Sequence, residues 1–175
     1  MITEGSTVID FHDLFMYFKK ERRELIKALE HLTRNQFIQD VGLSFGSIKN
    51  VLVHTVIVED TWLHYRITGG GASSKHVPED FMTLNEIKQY MADVDAKTRS
   101  FLDSVTDELL QRDVRVARPS GRSSVDKIIN ILYHIPIEII HHYGEIFAVL
   151  WKMNIIAPYY SYLDFARELS ASTRV

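Results

Sequence analysis

The sequence predicts an all-α protein and, within that class, a four-helix bundle. Three observations favour this fold: four segments with apolar residues every three or four positions, connections of moderate length between them, and a globular composition of 46% apolar and 25% charged residues. A chain of 175 residues can bury a substantial core, so we expect a single domain over residues 1–175.

Composition excludes several kinds of chemistry and partner. The chain has no cysteine, so it cannot form disulfides, offer thiolate metal ligands or use a cysteine nucleophile. A net charge of -3 gives no reason to expect nucleic acid or an anionic membrane as partner, and the basic cluster at 19–23 is typical of a solvated helix face. We expect a cytoplasmic protein, because the sequence shows no signal-peptide pattern and no membrane-spanning apolar run.

The first two predicted helices differ in how clearly they end. The first covers about residues 10–32, and residues 33–46 follow as a connection that leads to Ser47, a suitable N-cap. The second helix covers about residues 48–67 and stops at three consecutive glycines. His54 lies at the margin of its apolar stripe, whereas His64 points away from the stripe and is expected to be exposed.

The third predicted helix begins with a capping box formed by Thr83 and Glu86. Asp95 lies off its apolar stripe and is expected to be solvated. A short helical turn at 107–110 follows. Residues 114–122 then contain a Pro-Ser-Gly sequence and are expected to form a loop.

The fourth predicted helix is capped by Ser123 or Ser124 and extends to about residue 154. Pro136 lies inside it, so either the helix kinks there or its boundary lies elsewhere. The helix is also apolar on a second side, which the aromatic tail at 155–165 or a second copy of the protein must cover. We favour a homodimer and expect the tail to pack on the bundle. The second apolar side consists of Ile129, Ile137, Ile140 and Phe147.

The fourth helix also carries the residues that indicate chemistry. His134, Glu138 and His142 follow one another at i, i+4 and i+8, beside the apolar stripe. With His54 from the second helix, Glu138 and His142 would supply two imidazoles and a carboxylate to a zinc, iron or nickel ion, and His134 would orient a ligand or the bound water. The alternative is a few hydrogen-bonded histidines in a helical core.

Two segments in the right order resemble the DinB family of four-helix-bundle metalloenzymes. The first runs from Ser47 to His54 and continues to Glu59 and Trp62. It is similar to the family's second-helix pattern, which ends in a metal-binding histidine. The second contains His134, position 138 and the sequence His-His-Tyr-Gly-Glu-Ile at 141–146, and resembles the family's histidine-rich fourth helix. With the bundle pattern, the resemblance covers roughly residues 8–165.

The resemblance implies a divalent metal held by one histidine of the second helix and two of the fourth, in a bundle that is frequently dimeric. Carried over to this chain, the ligands are His54, position 138 and His142. The chain departs from the family pattern because position 138 is Glu rather than His, and because Tyr143 and Glu145 replace the usual Arg and Gln. Since glutamate is a competent ligand, we expect metal binding to be retained.

The resemblance further implies a thiol-dependent transferase or isomerase, in which the metal lowers the pKa of a low-molecular-weight thiol and presents it to an electrophilic substrate. Hydrolysis by a metal-activated water is the competing enzymatic reading. Two other classes stay open: a non-catalytic, metal-binding dimeric protein of the stress response, and a helical interaction module without metal. The last alternative predicts that His54 does not meet Glu138 and His142.

Overall fold

The structure is a computed structural model that describes residues 11–69, 73–117, 123–156 and 161–172. Four long helices form a bundle in which α3 packs against α4 and α6, and α6 also packs against α1. The predicted four-helix bundle is therefore confirmed. In chain order the helices are α1 (Phe11–Leu29), α2 (Arg34–Ile38), α3 (Ile48–Asp60), α4 (Leu84–Leu102), α5 (Asp107–Gln111), α6 (Ile128–Lys152) and α7 (Tyr162–Ser172).

The apolar stripes seen in the sequence form the core between the helices. On α1, Phe15, Phe18 and Leu25 are almost completely buried, and the isoleucines on the inner side of α6 are equally buried. Each such side chain contributes about 1.5–3 kcal/mol when it leaves water. This burial sets the rotation of each helix about its axis and thereby places the polar residues at the edges of the stripes.

Side-chain caps begin several of the helices. The Ser47 hydroxyl accepts a hydrogen bond from the backbone N–H of Asn50, as predicted for α3. The predicted capping box of α4 is present, with Thr83 and Glu86 each bonded to the other's backbone. The connection predicted over 33–46 is partly wrong, because residues 34–38 form α2 behind a capping box of their own.

The start of the fourth long helix was predicted too early. Residues Asp113–Ala117 and Ser123–Lys127 form two antiparallel strands, β1 and β2, so Ser123 and Ser124 lie in a strand and α6 begins at Ile128. Val114 and Val116 are buried while Arg115 between them is exposed, the alternation expected of a half-buried strand. The predicted loop over 114–122 is wrong for residues 114–117, which lie in β1, and its Pro-Ser-Gly sequence lies outside the described residues.

Two helices continue past positions where they could have stopped. Helix α3 passes into a π-helical segment, Thr61–Ile67, so the second predicted helix has the expected length. Helix α6 runs through Pro136 and does not end there.

Among the described residues, no helix is both long enough and apolar enough to cross a membrane.

The C-terminal helix α7 packs on α1, which confirms the helical tail. The Tyr162 ring meets the Tyr17 ring edge to face at 5.2 Å, and Phe165 lies 5.8 Å from the same ring. Lys20 and Glu168 form an ion pair at 2.5 Å between the two helices. The helix covers α1 rather than the second apolar side of α6. The tail tyrosines at 159 and 160 lie outside the described residues.

Candidate metal centre

The three predicted ligands come from α3 and α6, which lie side by side and run in opposite directions. His54 of α3 contacts His142, whereas Trp62, two turns further along, contacts His134 at the earlier end of α6. The buried neighbours of His54 and the isoleucines beside Glu138 turn all three side chains toward the same seam. The alternative in which His54 does not meet the α6 residues is wrong.

The geometry of the three side chains fits a small cation. One ligand atom from each of His54, Glu138 and His142 can be chosen so that all lie within 4.8 Å of one another. The His142 Nε2 and Glu138 Oε1 atoms are 3.4 Å apart. Two ligands bound about 2.1 Å from a tetrahedral zinc ion are separated by about 3.4 Å. The donor set could therefore close around a zinc-sized ion with small side-chain movements.

Glu145 orients the His142 ring from the other side. Its Oε1 lies 2.6 Å from His142 Nδ1, and its two carboxylate oxygens accept hydrogen bonds of 2.9 Å from the backbone N–H and the hydroxyl of Ser44. Because a carboxylate only accepts, His142 Nδ1 donates the hydrogen bond to Glu145, and Nε2 is the ring nitrogen that faces Glu138. Burial opposes ionisation of Glu145, but the hydrogen bonds from Ser44 and His142 have the larger combined effect. They hold the pKa of Glu145 below its usual range.

Phe45 covers the His54 ring. The two rings are stacked with their centroids 3.9 Å apart, and Phe45 also meets the His142 ring edge to face. Burial, together with the nearby His142, lowers the pKa of His54 to about 4 despite the attraction of two glutamates. His54 is consequently neutral at physiological pH, the state in which an imidazole can bind a metal.

One side of the cluster is accessible. The side chain of Glu138 is 37% exposed, while that of His142 is 8% exposed. Within the described part of the chain, the group that could hold a cation contains three residues and no fourth. Three protein ligands with an open position are typical of catalytic zinc sites, whereas structural sites are closed by four.

His134 contacts an aromatic ring outside the cluster. Its ring meets the Trp62 ring edge to face at 5.3 Å, and Arg66 stacks on the same indole at 4.1 Å. Among the described residues we find no side-chain hydrogen bond between His134 and the three candidate ligands, so its role in orienting a ligand stays a prediction. Glu145 and Ser44 occupy the orienting position. Glu145 was noted only as a departure from the family pattern, although its i+3 spacing from His142 was a usable signal.

A cluster of buried charges lies deeper in the bundle and corrects one prediction for α1. Arg22, in the segment expected to be a solvated face, is buried and donates a 3.1 Å hydrogen bond to the buried carboxylate of Glu59. Burial disfavours its charge, but Glu59, Tyr143 and Asp95 outweigh this and raise the pKa of Arg22 above its usual value. The Arg22 side chain can lie in the core because the Glu59 carboxylate of α3 pairs with it there.

The same cluster corrects two further expectations. Asp95 is not simply solvated, because it pairs with Arg22 and with Lys19, the latter at 3.0 Å. His64 is half-buried rather than exposed, and its Nε2 lies 3.3 Å from the Thr98 hydroxyl. Both residues lie off the apolar stripes, and at such positions periodicity alone predicts that a side chain is exposed to solvent.

Comparisons with known proteins agree with this architecture. A DinB family model matches residues 1–167. The crystal structure of a DinB-like protein from Bacillus cereus is similar, with a TM-score of 0.60 and 17% identity over 85% of this chain and 95% of that chain. At this identity the likeness shows the fold alone. A search of curated proteins gives no significant match. The family match confirms the resemblance seen in the sequence, and the chain belongs to the DinB family.

Proposed function

We propose that this protein is a divalent-metal-dependent enzyme in which His54, Glu138 and His142 hold the ion. The supporting observation is that ligand atoms from two helices, far apart in sequence, lie within 4.8 Å of one another beside an accessible carboxylate. Zinc, nickel and iron all accept two imidazoles and a carboxylate. Three candidate ligands rather than four, one of them partly exposed, favour an enzyme over a metal site that only stabilises the fold.

The residues around the site prepare it for a cation. Glu145 and Ser44 hold the His142 ring with its Nε2 directed toward Glu138, and Phe45 shields the neutral His54 ring. The Glu138 carboxylate adds negative charge, which strengthens the attraction for a dication but weakens the acidifying effect of the ion on what it binds. A bound ion would supply Lewis acidity that lowers the pKa of a thiol or water in the open position.

The proposed reaction is transfer of a low-molecular-weight thiol to an electrophilic small molecule. The chain has no cysteine, so the sulfur must arrive on a cosubstrate. With an aryl halide as acceptor, the thiolate forms a carbon–sulfur bond, the carbon–halogen bond breaks, halide leaves, and the thiol proton passes to solvent. The accessible side of the cluster at Glu138 is where both reactants would have to approach.

Metal content tests the first part of the proposal. Elemental analysis of protein purified from its native source should find close to one divalent ion per chain, and His142→Ala should remove it while helical content by circular dichroism is retained. His31→Ala, which removes an exposed histidine outside the cluster, serves as the matched control and should keep the ion. Wild-type protein that carries no metal and takes up none would refute the proposal.

A substrate panel tests the second part. Metal-loaded protein is incubated with several low-molecular-weight thiols and an aryl halide, and product formation is followed by absorbance and mass spectrometry. We expect thiol-dependent turnover that His142→Ala abolishes. Turnover of ester or amide substrates without any thiol would instead identify a hydrolase with the same metal centre.

A further inference from the structure

A second cleft lies between α1, α4 and the C-terminal helix α7, and shares no residue with the metal cluster. Its volume is about 440 Å³, within the range of small-molecule sites. Helix α7 forms one wall and is held there by the aromatic contacts with Tyr17 and by the Lys20–Glu168 ion pair. The cleft is therefore built by tertiary packing of three helices.

The rim of this cleft is positively charged in a protein whose net charge is -3. Four Lys and Arg side chains line it against two carboxylates, those of Asp95 and Asp103. Lys19 and Lys20 already pair with acidic groups. Within the described part of the chain, no ion pair occupies Arg23 of α1 or Arg99 of α4, which line the cleft from two different helices. Two planar guanidinium groups suit an anion with two or more oxygens.

The floor of the cleft is apolar. Phe15, Leu102 and Phe165 contribute it, and each is buried to more than nine-tenths of its surface. Met16 lies at the same cleft with an exposed side chain, where a flexible thioether can adapt to an apolar partner. An inorganic anion would leave this apolar floor without contacts, whereas a ligand with an apolar body would cover it.

We propose that this cleft binds a small amphipathic organic anion, whose carboxylate or phosphate group pairs with Arg23 and Arg99 and whose apolar body lies over Phe15, Leu102 and Phe165. The site is separate from the metal centre and does not depend on the enzymatic activity proposed above.

The test uses octanoate as the probe and the full chain labelled with ¹⁵N. Amide resonances are followed by NMR during titration with octanoate, octyltrimethylammonium or inorganic phosphate. We expect saturable shifts with octanoate in the cleft segments of α1, α4 and α7, and at least tenfold weaker binding of the other two probes. Octanoate shifts confined to the surroundings of His54 and His142 would mean that the carboxylate binds at the metal cluster, and would overturn the proposal.

Variants separate the arginines from a general effect of charge. The double variant R23Q/R99Q should raise the octanoate Kd at least tenfold, and Met16→Trp should weaken binding by filling the cleft. Lys27→Gln removes an exposed charge one turn from Arg23 but outside the cleft, and should leave the Kd within twofold of wild type. Circular dichroism checks that each variant is folded. Unchanged binding in the folded double variant, or equal binding of the cationic probe, would overturn the proposal.

Discussion

At the scale of single residues, His142 connects the candidate metal centre to the rest of the protein. Its Nδ1 is engaged by Glu145, which in turn is held by Ser44 from the loop before α3. Its Nε2 faces Glu138, one turn earlier on α6. The ring is thus fixed by a carboxylate on one nitrogen and presented to a cation on the other, an arrangement common among metal-binding histidines.

We predict that Glu145→Gln weakens metal binding without unfolding the protein. The amide carries no charge and can turn its NH₂ group toward His142, so the Nδ1 proton is no longer favoured. The expected loss is about 10- to 100-fold in zinc affinity, measured by competition with a chromophoric chelator. Glu24→Gln changes a surface carboxylate paired with Lys27 and should bind zinc like wild type. Equal affinities of the two variants would contradict the orienting role of Glu145.

His64 should make stability depend on pH. Burial lowers its pKa in the folded state, although Asp60 and Glu59 act in the opposite direction. An unfolded histidine takes up a proton near pH 6.5, so below that pH the unfolded chain binds more protons than the folded one. The free energy of unfolding therefore falls as the pH decreases from about 6.5 toward the folded pKa.

The variant His64→Gln removes this titration while keeping a donor for the Thr98 hydroxyl. We expect a smaller difference in unfolding free energy between pH 7.5 and pH 5.5 than in the wild type, measured by urea denaturation. His31→Gln removes an exposed histidine and should keep the wild-type difference. If His64→Gln also keeps it, the half-buried ring does not contribute to the pH dependence.

At the scale of helices, the buried ion cluster joins three of the four long elements. Arg22 comes from α1, Glu59 from α3 and Asp95 from α4, and Thr98 of α4 donates a 2.6 Å hydrogen bond to Glu59. A buried charge is tolerated only when it is paired and hydrogen-bonded. The ion pairs therefore favour one relative position of these three helices, whereas apolar packing alone would accept several.

We predict that Arg22→Met destabilises the protein by about 3–5 kcal/mol, because it leaves Glu59 buried with only Lys19 as a cationic partner. Chemical denaturation measures the change. The neighbouring exposed substitution Arg23→Gln should alter stability by less than about 0.5 kcal/mol. A loss of similar size in both variants would show that burial of the guanidinium is not the cause.

At the scale of the whole molecule, α6 presents an exposed stripe that the bundle does not cover. Its residues recur at alternating spacings of four and three, the pattern of a helix–helix seam. Ile137 and Trp151 at its ends are 66% and 59% exposed, and a Cβ built on Gly144 would meet no atom within 4 Å. The stripe consists of Ile137, His141, Gly144, Ala148 and Trp151. Of the second apolar side predicted for α6, only Ile137 belongs to this stripe, because Phe147 is buried and Ile129 and Ile140 pack partly buried against the core. A second copy of the protein could cover the exposed stripe.

The homodimer stays a prediction, and Ile137→Glu tests it. A carboxylate in place of the exposed isoleucine on this stripe should shift the protein from dimer to monomer in light scattering at micromolar concentration, with helical content unchanged. Val125→Glu places the same charge at an exposed apolar residue of β2, away from the stripe, and should leave the dimer intact. A wild-type protein that is monomeric under these conditions would contradict the predicted interface.

The sequence alone predicts the four long helices and the caps at Ser47 and Thr83, and it proposes the three candidate ligands. Each of these depends on local periodicity or on a cap formed within one turn, and the resemblance to a family supplied the pairing of His54 with α6. The pairing of β1 with β2 was not predicted, because a Pro-Ser-Gly sequence between two short segments is equally typical of a loop without strands. The alternation of apolar and polar residues around Val114 and Val116 is too short to predict a strand against that loop signal.

Only the tertiary structure decided which polar groups meet. Periodicity separates apolar from polar positions, but it does not show that Arg22 folds inward to Glu59 or that Ser44 approaches Glu145 across about a hundred residues of chain. The partners in both contacts come from different elements, and long polar side chains can reach either solvent or a buried charge. Whether such a side chain lies in solvent or pairs with a buried group depends on the packing of neighbouring helices, which brings the second group within hydrogen-bonding distance.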